Sequence, residues 1–194
     1  MTVLFTDIVN FTGRTEGLGA GQTAEFLNHH LRLVTGCIEA EGGVVDKFIG
    51  DAVMALWNAI EDQAEHAARA VRAAAAIAVA IRDDNRGREQ PVRVRIGVHS
   101  GPVVVGNIGT ATRMNYTVVG DTVNVAQRVQ AAAKEMLPEA EVAILLSAAT
   151  ARALPPDRRL AAMGSHRLRG HDAPIEIFAL RVGPAVPTGS CAGS

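Results

Sequence analysis

Hydrophobic positions recur along this chain with two alternating periods, and each change of period marks a boundary between strand and helix. Residues 3–6 read as a short buried strand, and residues 7–13 read as a loop entering a long helix. In that helix Leu27, Leu31, Val34 and Ile38 fall three or four residues apart, and Gly42-Gly43 supplies the stop. Residues 44–49 and 52–57 form two strand-like runs separated only by Gly50-Asp51. Glycine at the first central position suits a type II′ hairpin, which displays Asp51 at the tip. Ala64, Ala67, Val71, Ala74, Ala78 and Ile81 form a second amphipathic helix whose small side chains allow close packing on a sheet, and residues 83–87 end it.

Val92, Val94, Ile96 and Val98 alternate with Arg93, Arg95, Gly97 and His99, the signature of a strand with one buried face. Residues 103–105 are placed to pair back against it, and residues 116–119 form another short strand. Asp121 or Thr122 caps a helix carrying Asn124 and Arg128 on one face. Further strands are expected at 142–146 and 175–180. Strands alternating with helices, with one antiparallel hairpin among them, predict an α+β fold with a mixed sheet and helices packed on it. The tail, residues 183–194, is rich in Gly, Pro, Ala and Ser and reads as disordered, leaving residues 1–182 as one domain.

A hydrophobic content of 48% over 194 residues is enough for one sizeable core. Nineteen Lys and Arg against twenty Asp and Glu leave a net charge of −1, so no overall basic field points to nucleic acid or an anionic membrane. Any phosphate chemistry must be local. The two cysteines, Cys37 and Cys191, form neither a disulfide framework nor a zinc spacing. The alanine-rich stretch 71–81, interrupted by Arg72, is too short to span a bilayer, and no signal-peptide pattern opens the chain. A cytoplasmic location is expected, with a longer parent protein still able to be membrane-anchored.

Candidate chemistry begins with two carboxylates at strand ends, Asp7 beside a loop and Asp51 in a tight turn. Hard oxygen ligands in such places suit Mg²⁺ or Mn²⁺, although singly each aspartate is explained by a helix cap or a turn. The wider pattern changes that balance. Phe5-Thr6-Asp7-Ile8-Val9-Asn10-Phe11-Thr12 and Asp46-Lys47-Phe48-Ile49-Gly50-Asp51-Ala52-Val53-Met54-Ala55 resemble the two metal-binding motifs of class III adenylate and guanylate cyclases. Arg95-Ile96-Gly97-Val98-His99-Ser100-Gly101 and the segment from Tyr116 through Gly120-Asp121 to Asn124 and Arg128 follow in the order of that family's central strand and its substrate-binding strand and helix. The resemblance runs from residue 2 to about residue 181.

The resemblance implies a largely antiparallel mixed sheet with a ferredoxin-like core of the nucleotide cyclase type. It also implies a homodimer converting ATP into 3′,5′-cyclic AMP and pyrophosphate, a phosphorus–oxygen lyase. Asp7 and Asp51, with the main chain of Ile8, would hold two Mg²⁺ or Mn²⁺ ions, and the same oxygens can accept Ca²⁺. The main chain of Ile8, Val9, Asn10, Phe11 and Thr12 would wrap the triphosphate, as amides at a helix start favour anions. Arg95 would contact the terminal phosphates. Asn124 would position the ribose and Arg128 would stabilise transition-state charge. In the family these two and the purine readers come from the subunit opposite the metal aspartates, so a lone chain should be inactive.

Lys47 and Thr117 match the purine-reading positions. Lysine donates to adenine N1 and a hydroxyl accepts from the exocyclic amine, whereas guanine presents the opposite pattern. The commonest family residue at the place of Thr117 is aspartate, and a hydroxyl, which can both donate and accept, discriminates less strictly. Threonine there resembles the subgroup that includes bicarbonate-responsive adenylyl cyclases, which makes bicarbonate a candidate effector. The rival readings are a guanylyl cyclase and a catalytically silent nucleotide-binding or dimerisation module. Phe48, Trp57 and the alanine-rich helix read as core, Cys37 as packing, His99 as structural, and Arg169 as a less favoured phosphate contact.

Overall fold

A computed structural model describes residues 1–110, 113–156, 159–168 and 173–183. The chain runs β1 (Thr2–Ile8), α1 (Phe11–Thr15), α2 (Ala20–Ala40), β2 (Val44–Ile49), β3 (Ala52–Trp57), α3 (His66–Asp84) and β4 (Val94–Ser100). It continues through β5 (Val104–Thr110), β6 (Arg113–Val119), α4 (Asp121–Met136), β7 (Val142–Ser147), α5 (Ala148–Arg152), β8 (Leu160–His166) and β9 (Ile175–Leu180). Seven strands form one sheet in the order β2-β3-β1-β4-β7-β9-β8, while β5 and β6 form a separate hairpin. Among the described residues β4 and β7 run parallel, and the remaining neighbours in this sheet are antiparallel. The expected α+β architecture with its largely antiparallel sheet is therefore the observed one, and β4-β1-β3-β2 is the ferredoxin-like part of it.

Alternation along the strands distributes two cores. Leu4, Ile8, Val53, Ala55, Trp57, Val94, Ile96 and Val98 pack against α2 and α3, where Ala70, Ala73, Ala74 and Ala78 are fully buried and keep the helix close to the sheet. Val3, Phe5, Met54 and Leu56 face the other way and meet Ala126 of α4, and Ala143, Leu145 and Ile177 meet Val125, Val129 and Ala133. Trp57 is fully buried, and its indole N–H donates to the Glu41 carbonyl at 3.1 Å.

Several local expectations are corrected by packing. The strand β4 has two buried faces, because α4 crosses directly over Gly97: a Cβ at that position would run into the Gln130 backbone. The segment beginning at Val104 pairs with β6, since both hydrogen-bonding edges of β4 are taken by β1 and β7. The helix α4 is capped by Gly120 at φ +148°, and Thr122 instead donates its hydroxyl to the Pro102 carbonyl at 2.6 Å. Phe48 is 52% exposed on β2, the edge strand of the sheet. The stretch read as a loop after residue 6 is strand as far as Ile8, then turns at Asn10 (φ 56°, ψ 42°) into the short α1. Two elements without a sequence signal, β8 and α5, complete the sheet edge and the turn after β7.

Candidate active site

Asp7 sits at the end of β1, on the face shared by Val3 and Phe5 and directed toward α4. Its register partner on β4 is Arg95, and the two side chains meet at 3.4 Å between Nη2 and Oδ2. Burial pushes the Asp7 carboxyl above the usual range, and the nearby Asp51 carboxylate pushes it further the same way; Arg95 opposes them, with a lesser pull from Gln130. The Gln130 amide is buried, and its Nε2 makes no hydrogen bond of full geometry, which is consistent with that weaker pull. Arg95 Nε is likewise buried without an acceptor.

Asp51 arrives from the next hairpin. Gly50 has φ +63° while Asp51 keeps a negative φ, the pattern of a type II′ turn, so β2 and β3 are joined by two residues. The turn brings Asp51 Oδ2 within 2.9 Å of the Ile8 amide, which donates to it. Asp7 therefore does not cap a helix, a role that falls to Asn10, and Asp51 does more than make a turn. Two hard carboxylates this near, with Asp51 adding to the cost of ionising Asp7, are a donor set suited to Mg²⁺ or Mn²⁺. Among the described residues no cluster of three or more His, Cys, Asp or Glu side chains forms, so such ions would complete their shells with main-chain carbonyl, substrate and water oxygens.

In the following loop the Ile8 amide is engaged by Asp51 and the Val9 amide donates to the Arg93 carbonyl at 2.8 Å. The Asn10, Phe11 and Thr12 amides lie at the start of α1, where a helix leaves its first N–H groups without intrahelical acceptors. Val9 and Asn10 border a cavity of about 410 Å³ whose basic lining is Arg93, Arg95 and Lys134.

A second cluster forms where β2 faces β6. Lys47 Nζ donates to Thr117 Oγ1 at 3.0 Å, so the two expected purine readers touch. Between them lies Asp46, with its side chain only 5% exposed: Thr117 donates to its carboxylate at 3.0 Å, and Lys47 pairs with it at 3.1 Å. A β-bulge between Val45 and Lys47 lets the adjacent residues Asp46 and Lys47 both reach Thr117, where regular alternation would send them to opposite faces.

Asn124 and Arg128 lie four residues apart on α4. At about 100° per residue they share the side turned away from Val125, Val129 and Ala133, which face the sheet. The chain thus gathers Asp7, Ile8, Asp51 and Arg95 in one place and Lys47 with Thr117 in another, and it places Asn124, exposed, and Arg128, half-buried, on the outer side of α4. Sequence reasoning missed the buried Asp46 and Gln130. The bulge that turns Asp46 inward and the crossing of α4 over Gly97 leave no local mark in the sequence. His99 has a structural contact, its Nδ1 lying 2.6 Å from Ser147 Oγ. Cys37 is half-buried against the core, and burial pushes its thiol up. Arg169 lies outside the described residues.

Residues 1–181 match the adenylate and guanylate cyclase catalytic domain family, and the chain belongs to it. It is 30% identical over 182 residues to adenylate cyclase 1 of Rhizobium meliloti (strain 1021), covering 92% of this chain and 27% of that protein. It is 38% identical over 138 residues to an adenylate cyclase of Anabaena cylindrica, covering 70% of this chain and 28% of that one. The chain therefore spans little more than a quarter of the length of these relatives. Among solved structures, the adenylyl cyclase CyaB from P. aeruginosa superposes with a TM-score of 0.81 at 31% identity, over 93% of this chain and 92% of that one. The guanylyl cyclase Cya2 superposes with a TM-score of 0.80 at 30% identity, over 96% and 93%. The fold and the family define a nucleotide cyclase catalytic domain. No helix among the described residues is long and apolar enough to cross a membrane.

Proposed function

We propose that this domain converts ATP into 3′,5′-cyclic AMP and pyrophosphate at sites shared between two copies of the chain. The observation that carries the reading is the division of the machinery: Asp7, Asp51 and Arg95 converge at the ends of β1 and β4, while Asn124 and Arg128 project from the outer side of α4. A second copy supplies what one chain directs away from its own carboxylates. Phe48, Ile49, Val104 and Val119 are exposed close to Lys47 and Thr117, an apolar surface that a partner would cover.

Asp7, Asp51 and the Ile8 carbonyl are the donor set for two Mg²⁺ or Mn²⁺ ions, whose charge would activate the ribose 3′-hydroxyl and offset that of the triphosphate. Arg95, the Asn10–Thr12 amides and the basic lining of the neighbouring cavity hold the phosphates. Asn124 orients the ribose so that its 3′-oxygen faces the α-phosphorus, and Arg128 meets the negative charge that grows on the phosphoryl oxygens. Pyrophosphate leaves in line, with no covalent enzyme intermediate.

Choice of ATP rests on Lys47, a donor that suits adenine N1 and opposes the guanine N1–H, and on Thr117 as acceptor for the exocyclic amine. The likeness to Cya2, a guanylyl cyclase, makes GTP the specific alternative. Purified protein supplied with ATP or GTP and Mg²⁺ or Mn²⁺ is expected to make cyclic AMP in clear preference to cyclic GMP. Comparable rates would favour the guanylyl reading, and no product from either would favour a silent module. Bicarbonate added at constant pH tests the effector suggested by Thr117.

A further inference from the structure

Thr117 alone does not explain a preference for adenine, because a hydroxyl can turn its proton toward a guanine oxygen as readily as it can accept from an adenine amine. The structure supplies what restricts it. The Thr117 hydroxyl lies 3.0 Å from both carboxylate oxygens of Asp46, which only accept, so the hydroxyl proton is committed to Asp46. The remaining lone pairs of Oγ1 then face Lys47 Nζ, at 3.0 Å, and the approaching base. Asp46 is itself held, by burial and by Lys47 at 3.1 Å.

We propose that Asp46 determines the base preference of the purine-reading pair by fixing the direction of the Thr117 hydroxyl. With its proton engaged, Thr117 is an acceptor only, matching the adenine amine and leaving a guanine carbonyl oxygen facing another oxygen. Asp46 need not touch the nucleotide; it is a positioning residue acting through Thr117. The inference rests on the purine reading proposed above and adds the group that gives Thr117 its polarity.

The test is Asp46→Asn, which keeps the shape but exchanges one of the two acceptor oxygens for an amide donor to Thr117 Oγ1, so that a carboxylate charge no longer holds the hydroxyl proton and it can turn toward the base. Comparing kcat/KM for ATP and GTP, the ATP:GTP ratio is expected to fall about tenfold, chiefly by a gain on GTP. The change stays partial because Lys47 still opposes the guanine N1–H. A merely structural role for Asp46 would depress both nucleotides together, and an unchanged ratio in a folded, active variant would overturn the inference.

Should Asp46→Asn fail to fold, base analogues on the unmodified protein decide the question. The triphosphate of purine riboside, which keeps N1 but lacks the amine, should lose about tenfold in kcat/KM against ATP. Turnover as efficient as that of ATP would show that Thr117 accepts nothing from the base and would overturn the inference. A wild-type protein that makes neither cyclic nucleotide would sink the cyclase reading along with it, whereas an active enzyme with an unmoved ratio sinks only the role of Asp46.

Discussion

Asp7→Ala in one preparation and Arg128→Ala in another separate the two halves of the proposed shared site. Arg128 lies on the side of α4 turned away from the sheet, whereas Asp7 lies beneath it against Arg95. In a symmetric dimer each site then takes its carboxylates from one copy and its Arg128 from the other. Each variant alone has both sites broken. Loss of the arginine should cost about 10²–10³-fold in turnover, as removal of one preorganised charge-stabilising donor does. When equal amounts are mixed and allowed to exchange, about half of the dimers are mixed, and each of those has one intact site and one doubly broken site. Activity should therefore rise from near background to about a quarter of the wild-type rate per chain. A double variant lacking both groups should rescue neither single variant. Cyclic AMP formation measures the recovery, and affinity capture through a tag carried by one variant shows that mixed dimers have formed. Mixed dimers without recovered activity would refute the shared site.

Two further outcomes concern the scaffold. Gly97→Ala sets a methyl group against the Gln130 backbone and should destabilise the domain by about 2 kcal/mol while displacing α4 and its Asn124 and Arg128; urea melts and the cyclase assay read the two effects, and unchanged stability would contradict the contact. His30 is 3% exposed with an unpaired Nε2, and burial lowers its pKa to about 4 despite the attraction of Asp51 and Asp84. The unfolded chain therefore takes up a proton near pH 6.5 that the folded chain refuses, so stability falls as the pH drops from there toward 4. The loss should reach about 2 kcal/mol by pH 5, and His30→Leu should flatten that part of the profile in urea melts.

Local pattern and local chemistry made much of this domain legible. The alternation around Val94, Ile96 and Val98, the helical spacing of Val34 and Ile38, and the Gly50-Asp51 turn are written in neighbouring residues, because strand and helix periods and turn conformations are properties of short segments. The ordered motifs around Asp7, Asp51, Lys47, Thr117, Asn124 and Arg128 likewise named the candidate site before any coordinates did. Contacts across the sheet were not legible. That β4 is covered on both faces depends on where α4 lands, and that residues after Val104 leave the main sheet depends on β1 and β7 having already filled the edges of β4. Phe48, apolar by pattern, lies exposed because β2 ends the sheet, and polar Asp46 is buried because a bulge turns it inward. Burial and hydrogen-bond direction are set by partners far away in the chain, and a one-dimensional pattern carries no record of which partner arrives.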